Sequence, residues 1–281
     1  MRLPLDLISP CLDNARFILK GAAGEWLAAL GNRFQGATLP PVLTAPFMLT
    51  RTQMMQYLRE RSPVIAPSML KCDFGNLQEE AARIDAADLP LYHLDIMDGH
   101  FVPNLSYGAM VIAGLREKTE VPFDAHLMIS NPAAFLEDYI KAGCEAITIH
   151  LEAVPDPVEL LKEIRSRNIV SGLAINPETS FEQAAPFLKY TDLLLVMSVR
   201  PGFGGQKFIP DVLPKITAAR EAAGPDLLIS VDGGVAESTI GACAAAGADI
   251  FVAGSSIFDH ADYGAAGVCL AEAISRFTEV A

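Results

Sequence analysis

Basic charge is scarce in this chain. Twenty-one Lys and Arg stand against 34 Asp and Glu, for a formal net charge of −13. A nucleic-acid-binding surface needs a basic face, so nucleic acid is excluded as a partner class. Long apolar runs are missing too: none approaches the roughly 20 residues of a transmembrane helix, and no membrane partner is expected. Cysteine is sparse and unpaired. Cys11, Cys72, Cys144, Cys243 and Cys269 are odd in number and scattered, with no CxxC pair and no zinc-knuckle spacing. That usage predicts buried free thiols in a reducing, cytoplasmic setting. No charged start followed by an apolar core and cleavage site marks a signal peptide. Asp6, Asp13 and Glu25 speak against an Arg-bearing transit segment.

What is present divides unevenly. Residues 1–62 carry seven Lys and Arg and four Asp and Glu, a net +3 that leaves −16 for the remainder. Phe17, Ile18, Leu19, Trp26, Leu27 and Leu30 give this segment some helical apolar pattern, and a stretch bearing Gly and Pro follows at 36–46. It is set apart as an N-terminal extension, dispensable for chemistry, with Met48, Met54 and Met55 as alternative starts. From residue 63 a regular alternation begins. Short apolar or β-branched runs fall at 64–67, 91–97, 123–128, 146–150, 171–175, 193–198, 227–232 and 250–253. Between them lie stretches rich in Ala, Leu, Glu and Lys, such as 77–87, 132–142 and 157–167, several closing on Gly (Gly143, Gly247). Eight strands alternating with helices over about 215 residues is the count and length of a (β/α)8 TIM barrel. A doubly wound open sheet would expect a glycine fingerprint after its first strand. This chain has Pro67-Ser68-Met69-Leu70 there.

In such a barrel chemistry sits at the C-terminal strand ends. Ser68 ends the first run, His93, Asp95 and Met97 the second, His126 and Met128 the third, Met197 and Ser198 the sixth, and Asp232 the seventh. The eighth runs into Gly254-Ser255-Ser256. Residues two apart in a strand share a face, so His93, Asp95 and Met97 point one way. An imidazole and a carboxylate facing inward must be paired or coordinated. Two histidines and two carboxylates from three strands fit a divalent cation of the Zn, Fe, Mn or Co kind. His100, His150 and His260 are read as non-catalytic. A second constellation is glycine: Pro201-Gly202-Phe203-Gly204-Gly205-Gln206, Gly233-Gly234 and Gly254-Ser255 follow the last three strands. Backbone amides there can wrap a phosphate with little help from basic side chains. Met97, Met128 and Met197 would supply a polarizable wall around a delocalised anion, or simple barrel packing.

These blocks resemble the ribulose-phosphate 3-epimerase family. The matching segments are Ala66–Met69, His93–Asn104, Asp124–Met128, Val196–Val199 with Pro201–Gln206, Val231–Gly234 and Val252–Ser255. The resemblance leaves residues 1–62 uncovered, and Arg200 departs from the Asn more usual before Pro-Gly-Phe-Gly-Gly. It implies a ribulose-phosphate-binding TIM barrel at 63–281, metal ligands at His93, Asp95, His126 and Asp232, and acid/base roles for Asp95 and Asp232. It also implies substrate contacts from Ser68, His126, Gly202, Phe203, Gly204, Gly205, Asp232, Gly233, Gly234, Gly254 and Ser255. The reaction it implies is metal-dependent C3 epimerisation of D-ribulose 5-phosphate to D-xylulose 5-phosphate through an enediolate, in a cytoplasmic homo-oligomer. A hexulose 6-phosphate epimerase would have an almost identical site. An aldolase or decarboxylase on this barrel would carry an Asp-x-Lys pair, whereas Ile96 and Met97 follow Asp95. A non-catalytic sugar-phosphate binder would not need both Asp95 and Asp232.

Overall fold

The computed structural model describes residues 48–280. Eight strands follow one another: β1 (Val64–Pro67), β2 (Tyr92–Met97), β3 (Phe123–Met128), β4 (Ala146–His150), β5 (Val170–Ile175), β6 (Leu193–Met197), β7 (Leu228–Asp232) and β8 (Ile250–Ala253). Of all their residues only Asp232 is reached appreciably by solvent. Burial on both faces is what a parallel sheet covered by crossover helices imposes, and it explains why the runs read as continuous apolar stretches. The strands pair in parallel in the order β1-β8-β7-β6-β5-β4-β3-β2. A parallel bridge between Ser68 and His93 joins β1 to β2 and makes the sheet a nearly closed TIM barrel. Strand bounds agree with the sequence expectation to within a residue. The expected helix at 132–142 is a 3₁₀ turn, Pro132–Phe135, leading into a short helix, Leu136–Lys141.

Two apolar layers hold the barrel. The outer layer packs strand residues such as Leu94, Leu127, Ile149 and Phe251 against the surrounding helices. The inner layer fills the barrel with Val64, Ala66, Leu91, Ala146, Ala174, Leu193, Leu195 and Val252. Three members of this inner layer come from ahead of the first strand. Helix α1 (Arg51–Glu60) contributes Met54, Met55 and Leu58, exposed by 0%, 7% and 0%. Thr50 starts it with a reciprocal capping box, its Oγ1 accepting from Gln53 N and its N–H donating to Gln53 Oε1 at 2.9 Å. The helix lies across the N-terminal strand ends. Arg51 N–H donates to Asn168 O before β5, Tyr57 Oη to Pro90 O before β2, and Arg59 Nη2 to Asp226 O before β7.

This corrects the expectation that everything before residue 63 stands apart from the fold. The apolar face at 54–58 is part of the barrel core. Trp26, Leu27, Leu30 and Cys11 lie outside the described residues. Of the described cysteines, Cys72, Cys144 and Cys243 are buried and free as expected. Cys269 is exposed, because the C-terminal helix, Tyr263–Val280, buries Ala266, Leu270 and Ala273 and turns position 269 outward. No described helix is long and apolar enough to cross a membrane.

Asp192, 4% exposed, locks α1 in place. Arg51 grips it bidentately at 2.6 and 2.7 Å, Arg165 Nη2 donates at 2.7 Å and Ser171 N–H at 3.0 Å. Burial opposes ionisation of Asp192, but these donors outweigh it and hold its pKa below the ordinary value.

Two outcomes are expected. A chain beginning at Met48 should fold, whereas one beginning at Arg61 should not fold stably. Each buried Met or Leu is worth about 2–5 kcal/mol within a total of only about 5–15 kcal/mol; a wild-type melting curve for the shorter chain would show that the barrel closes without α1. Asp192→Asn should cost about 1–2 kcal/mol, because it leaves two half-buried guanidinium groups, Arg51 and Arg165, short of a charged partner that water only partly replaces. A lowered folded pKa means that the ion-pair contribution is complete above about pH 4 and fades as pH falls through the folded value. Urea titrations at pH 7 and pH 3 should therefore show the gap between variant and parent narrowing in acid.

Candidate active site

Strand register builds the site. In β2 the side chains of Tyr92, Leu94 and Ile96 join the outer layer, which leaves His93, Asp95 and Met97 on the inner face. Pairing with β3 sets Asp95 beside His126 and Met97 beside Met128. Pairing of β6 with β7 sets Met197 beside Asp232. The ligating atoms of His93, Asp95, His126 and Asp232 all lie within 4.8 Å of one another. His126 Nδ1 is 3.0 Å from Asp95 Oδ1, 3.3 Å from His93 Nε2 and 3.9 Å from Asp232 Oδ2.

The far side of each imidazole is spoken for. His93 Nδ1 meets Asp124 Oδ2 at 2.9 Å, and Thr148 Oγ1 donates to the other oxygen of that carboxylate at 3.2 Å. A carboxylate can only accept, so the His93 proton sits on Nδ1 and the Nε2 lone pair faces the cluster. His126 Nε2 meets His150 Nε2 at 2.8 Å, and His150 Nδ1 meets Glu152 Oε2 at 3.2 Å. The arrangement that a bound cation would select is His150 donating to Glu152, His126 donating to His150, and His126 Nδ1 keeping its lone pair; without a cation Nδ1 can carry the proton and donate to Asp95. In the cation-selected arrangement two nitrogen lone pairs and two carboxylates converge with no donor among them. Such a set suits a divalent cation, and its mixture of nitrogen and oxygen suits Zn, Fe, Mn or Co.

Without a cation, protons do the compensating. Burial works against a charged His93, but Asp95 and Asp124 raise its pKa well above the ordinary value. Burial, with His150 and His93 nearby, lowers His126 to about 4 against the pull of Asp95. The two carboxylates separate. Burial disfavours the Asp95 charge, yet the charge of His93 and hydrogen bonds from both histidines hold it well below the usual range. Burial, then the Asp95 charge, pushes Asp232 up to about 7. Ser68 Oγ donates to Asp95 Oδ2 at 2.6 Å and fixes the rotation of that carboxylate.

Asp95 and Asp232 both line a cavity at the C-terminal end of the barrel. Met97, Met128 and Met197 form its inner wall, and the glycine loops its outer rim: Gly202 to Gly205 with Phe203, then Gly233 and Gly234, then Gly254 with Ser255. Gly233 and Gly234 have φ of +114° and +63°. A Cβ on Gly234 would also meet Phe208 N at 2.5 Å, so only glycine serves there. The loop after β2 folds over this end. Asp98 accepts from the backbone N–H groups of His100, Phe101 and Ser130, and Asn104 Nδ2 donates to Gly202 O at 2.7 Å, tying that loop to the glycine run.

A barrel match alone would leave the chemistry open. Structures similar to this one include 3-hexulose-6-phosphate synthase (TM-score 0.56, 22% identity, covering 75% of this chain and 99% of that one). Another is a tryptophan synthase α-subunit mutant from Pyrococcus furiosus (TM-score 0.58, 13% identity, 76% and 98%). At such identities they show the fold only. Sequence decides the matter: the model of the ribulose-phosphate 3 epimerase family matches residues 64–258. The chain belongs to that family. The ribulose-phosphate 3-epimerase of Mycobacterium tuberculosis is 45% identical over 207 residues, covering 73% of this chain and 90% of its own length. The rice protein named as the cytoplasmic isoform is 46% identical over 204 residues, covering 71% and 89%. The chain is thus an isomerase of the epimerase kind, and the blocks read in the sequence as a resemblance fall inside the matched span.

The other histidines separate. His150, read as remote from the chemistry, is fully buried against His126, with the Phe101 ring 4.8 Å from its own. His100 and His260 are exposed and outside the cluster. Arg200 turns away, its Nε donating to Glu178 at 2.6 Å on the surface. Asp124 and Glu152 are additions that the sequence reading misses. Asp124 carries a signal, since it stands two residues before His126 on the same strand face. Glu152 carries none, because it is brought back by the turn after β4.

The donor set predicts that the purified chain titrates one divalent cation. His150→Phe should weaken its retention by about 10–100-fold, the usual cost of losing a partner behind a ligating histidine. Competition with a chromophoric chelator reads this directly. Unchanged retention in the variant would mean that the His126 tautomer is set without His150.

Proposed function

We propose that the chain interconverts D-ribulose 5-phosphate and D-xylulose 5-phosphate at carbon 3, with Asp95 and Asp232 as the two proton carriers. The observation that carries this reading is the split between them: two carboxylates line one cavity, one pressed toward the ionised form and the other toward the protonated form. Inverting a C–H beside a carbonyl needs a base on one face of the carbon and an acid on the other. Asp95, ionised and held by Ser68, takes the proton on one face of the substrate. Asp232, its pKa raised to about 7 by burial and by the Asp95 charge, delivers a proton to the other. The two carboxyls exchange roles in the return direction, so each catalytic cycle ends in the protonation pattern from which the reverse reaction starts.

His93, Asp95, His126 and Asp232 would hold the divalent cation. Such a metal would supply the positive charge that stabilises negative charge developing on the substrate oxygens. Met97, Met128 and Met197 keep water from the planar intermediate. Gly202 to Gly205, Gly233, Gly234, Gly254 and Ser255 receive the phosphate. The grip on both ends measures the chain between them and favours a pentulose over a hexulose. A cytoplasmic setting goes with the buried free thiols at Cys72, Cys144 and Cys243. Leu105 and Met110, 72% and 86% exposed, offer apolar surface to a second copy of the chain.

Asp95→Asn and Asp232→Asn should each lower kcat by at least about 10²–10⁴-fold with the circular dichroism unchanged, since an amide carries no proton at neutral pH. Solvent deuterium should appear at carbon 3 with the parent chain. Near-normal turnover by either variant would remove that residue from the mechanism. In a side-by-side comparison, D-ribulose 5-phosphate should exceed D-allulose 6-phosphate in kcat/KM by about 10–200-fold, the range that one extra carbon commands. The reverse order would assign the chain a hexulose phosphate with the same chemistry.

A further inference from the structure

The cavity as a whole has a charge problem. Its lining brings two carboxylates, Asp95 and Asp232, and a single basic side chain, Lys71. A sugar phosphate adds up to two more negative charges in a chain already at −13. Lys71 is the last residue of the turn Met69–Lys71 that follows β1. Its stem runs between two of the glycine segments. A Cβ built on Gly254 would lie 3.2 Å from Lys71 Cγ, and one built on Gly204 would lie 3.7 Å from Lys71 Cδ. The glycines thus leave a channel that the lysine occupies, and its methylenes pack along it. The ammonium group at the end of the stem has one carboxylate neighbour, Asp259 Oδ1 at 3.6 Å, with Lys71 37% and Asp259 62% exposed. A pair so long and so wet is weak. A phosphate dianion seated between the same glycine loops would compete with it for the ammonium group.

We infer that Lys71 is a phosphate-binding residue of this site, parked on Asp259 in the free enzyme and transferred to the substrate phosphate when the glycine loops are filled. This rests on the sugar-phosphate reading above. It departs from the expectation that backbone amides hold the phosphate with little help from basic side chains. A lysine suits the exchange, since its ammonium is a point charge on a flexible stem and needs no fixed fork to change partners.

The test compares Lys71→Gln, Lys71→Arg and Asp259→Asn with the parent chain, using D-ribulose 5-phosphate for kinetics and inorganic phosphate as a calorimetric probe. Lys71→Gln should raise KM and the phosphate Kd about 10-fold, with kcat moved less than about threefold, the pattern of lost uniform binding. Lys71→Arg should restore both to within about threefold, because the charge returns. Asp259→Asn should tighten phosphate about two- to threefold by removing the competing carboxylate. Parental phosphate affinity in Lys71→Gln, or weaker phosphate binding in Asp259→Asn, would overturn the assignment. Calorimetry keeps the two readings separate. A parent chain that binds phosphate through Lys71 but turns over no ribulose 5-phosphate would sink the proposed reaction and leave the lysine's role standing.

Discussion

Four electron-pair donors that repel one another are pressed into one buried spot at the end of this barrel, and much of the surrounding structure exists to keep them there. His93 and His126 are fully buried and Asp95 nearly so. Left in water these side chains would hydrate and separate; inside the barrel they are held by strand register. Each imidazole is braced from behind by a carboxylate, directly by Asp124 and through His150 by Glu152. The bracing fixes which nitrogen keeps its lone pair. It also explains why the polar residues come in a layer: Asp124 and Thr148 sit under the cluster and satisfy groups that would otherwise be stranded.

The same constraint divides the molecule into two ends. At the N-terminal ends of the strands, α1 closes the interior with Met54, Met55 and Leu58, and Asp192 gathers two arginines to pin it. That end is apolar inside, with its charged pairs at the rim. At the other end the inner wall changes from Ala, Leu and Val to Met, Asp and His, and the backbone opens into glycine loops. Asp232 marks the boundary, as the one strand residue appreciably open to solvent.

Most of the fold was legible because parallel strands buried on both faces leave unbroken β-branched and apolar runs, and eight of them recur at the spacing a barrel needs. The core of the site was legible through period two: His93, Asp95 and Met97 could share only one face. Legibility failed where position depends on contacts between distant segments. Helix α1 is short and mostly polar, with three buried residues in ten, so its pattern is too weak to announce that it plugs a barrel. His150 reads as an ordinary strand-end residue until β4 lies beside β3 and brings its ring to His126. Lys71 reads as a surface lysine until the loops after β6 and β8 close around its stem.

The separation of the two carboxylates follows from the same geometry and needs no special device. Asp95 sits among the donors: Ser68 gives it a hydroxyl, and both histidines lean toward it. Asp232 stands at the edge of the cluster, 3.9 Å from His126 Nδ1, and its main-chain carbonyl rather than its carboxylate takes the bonds from Ser198. Once Asp95 has claimed the positive charge available, its own negative charge disfavours ionisation of its neighbour. Two chemically identical side chains thereby become an acid and a base. Exchanging them requires only that the proton and the favourable contacts move together, which is what a reversible inversion at one carbon demands.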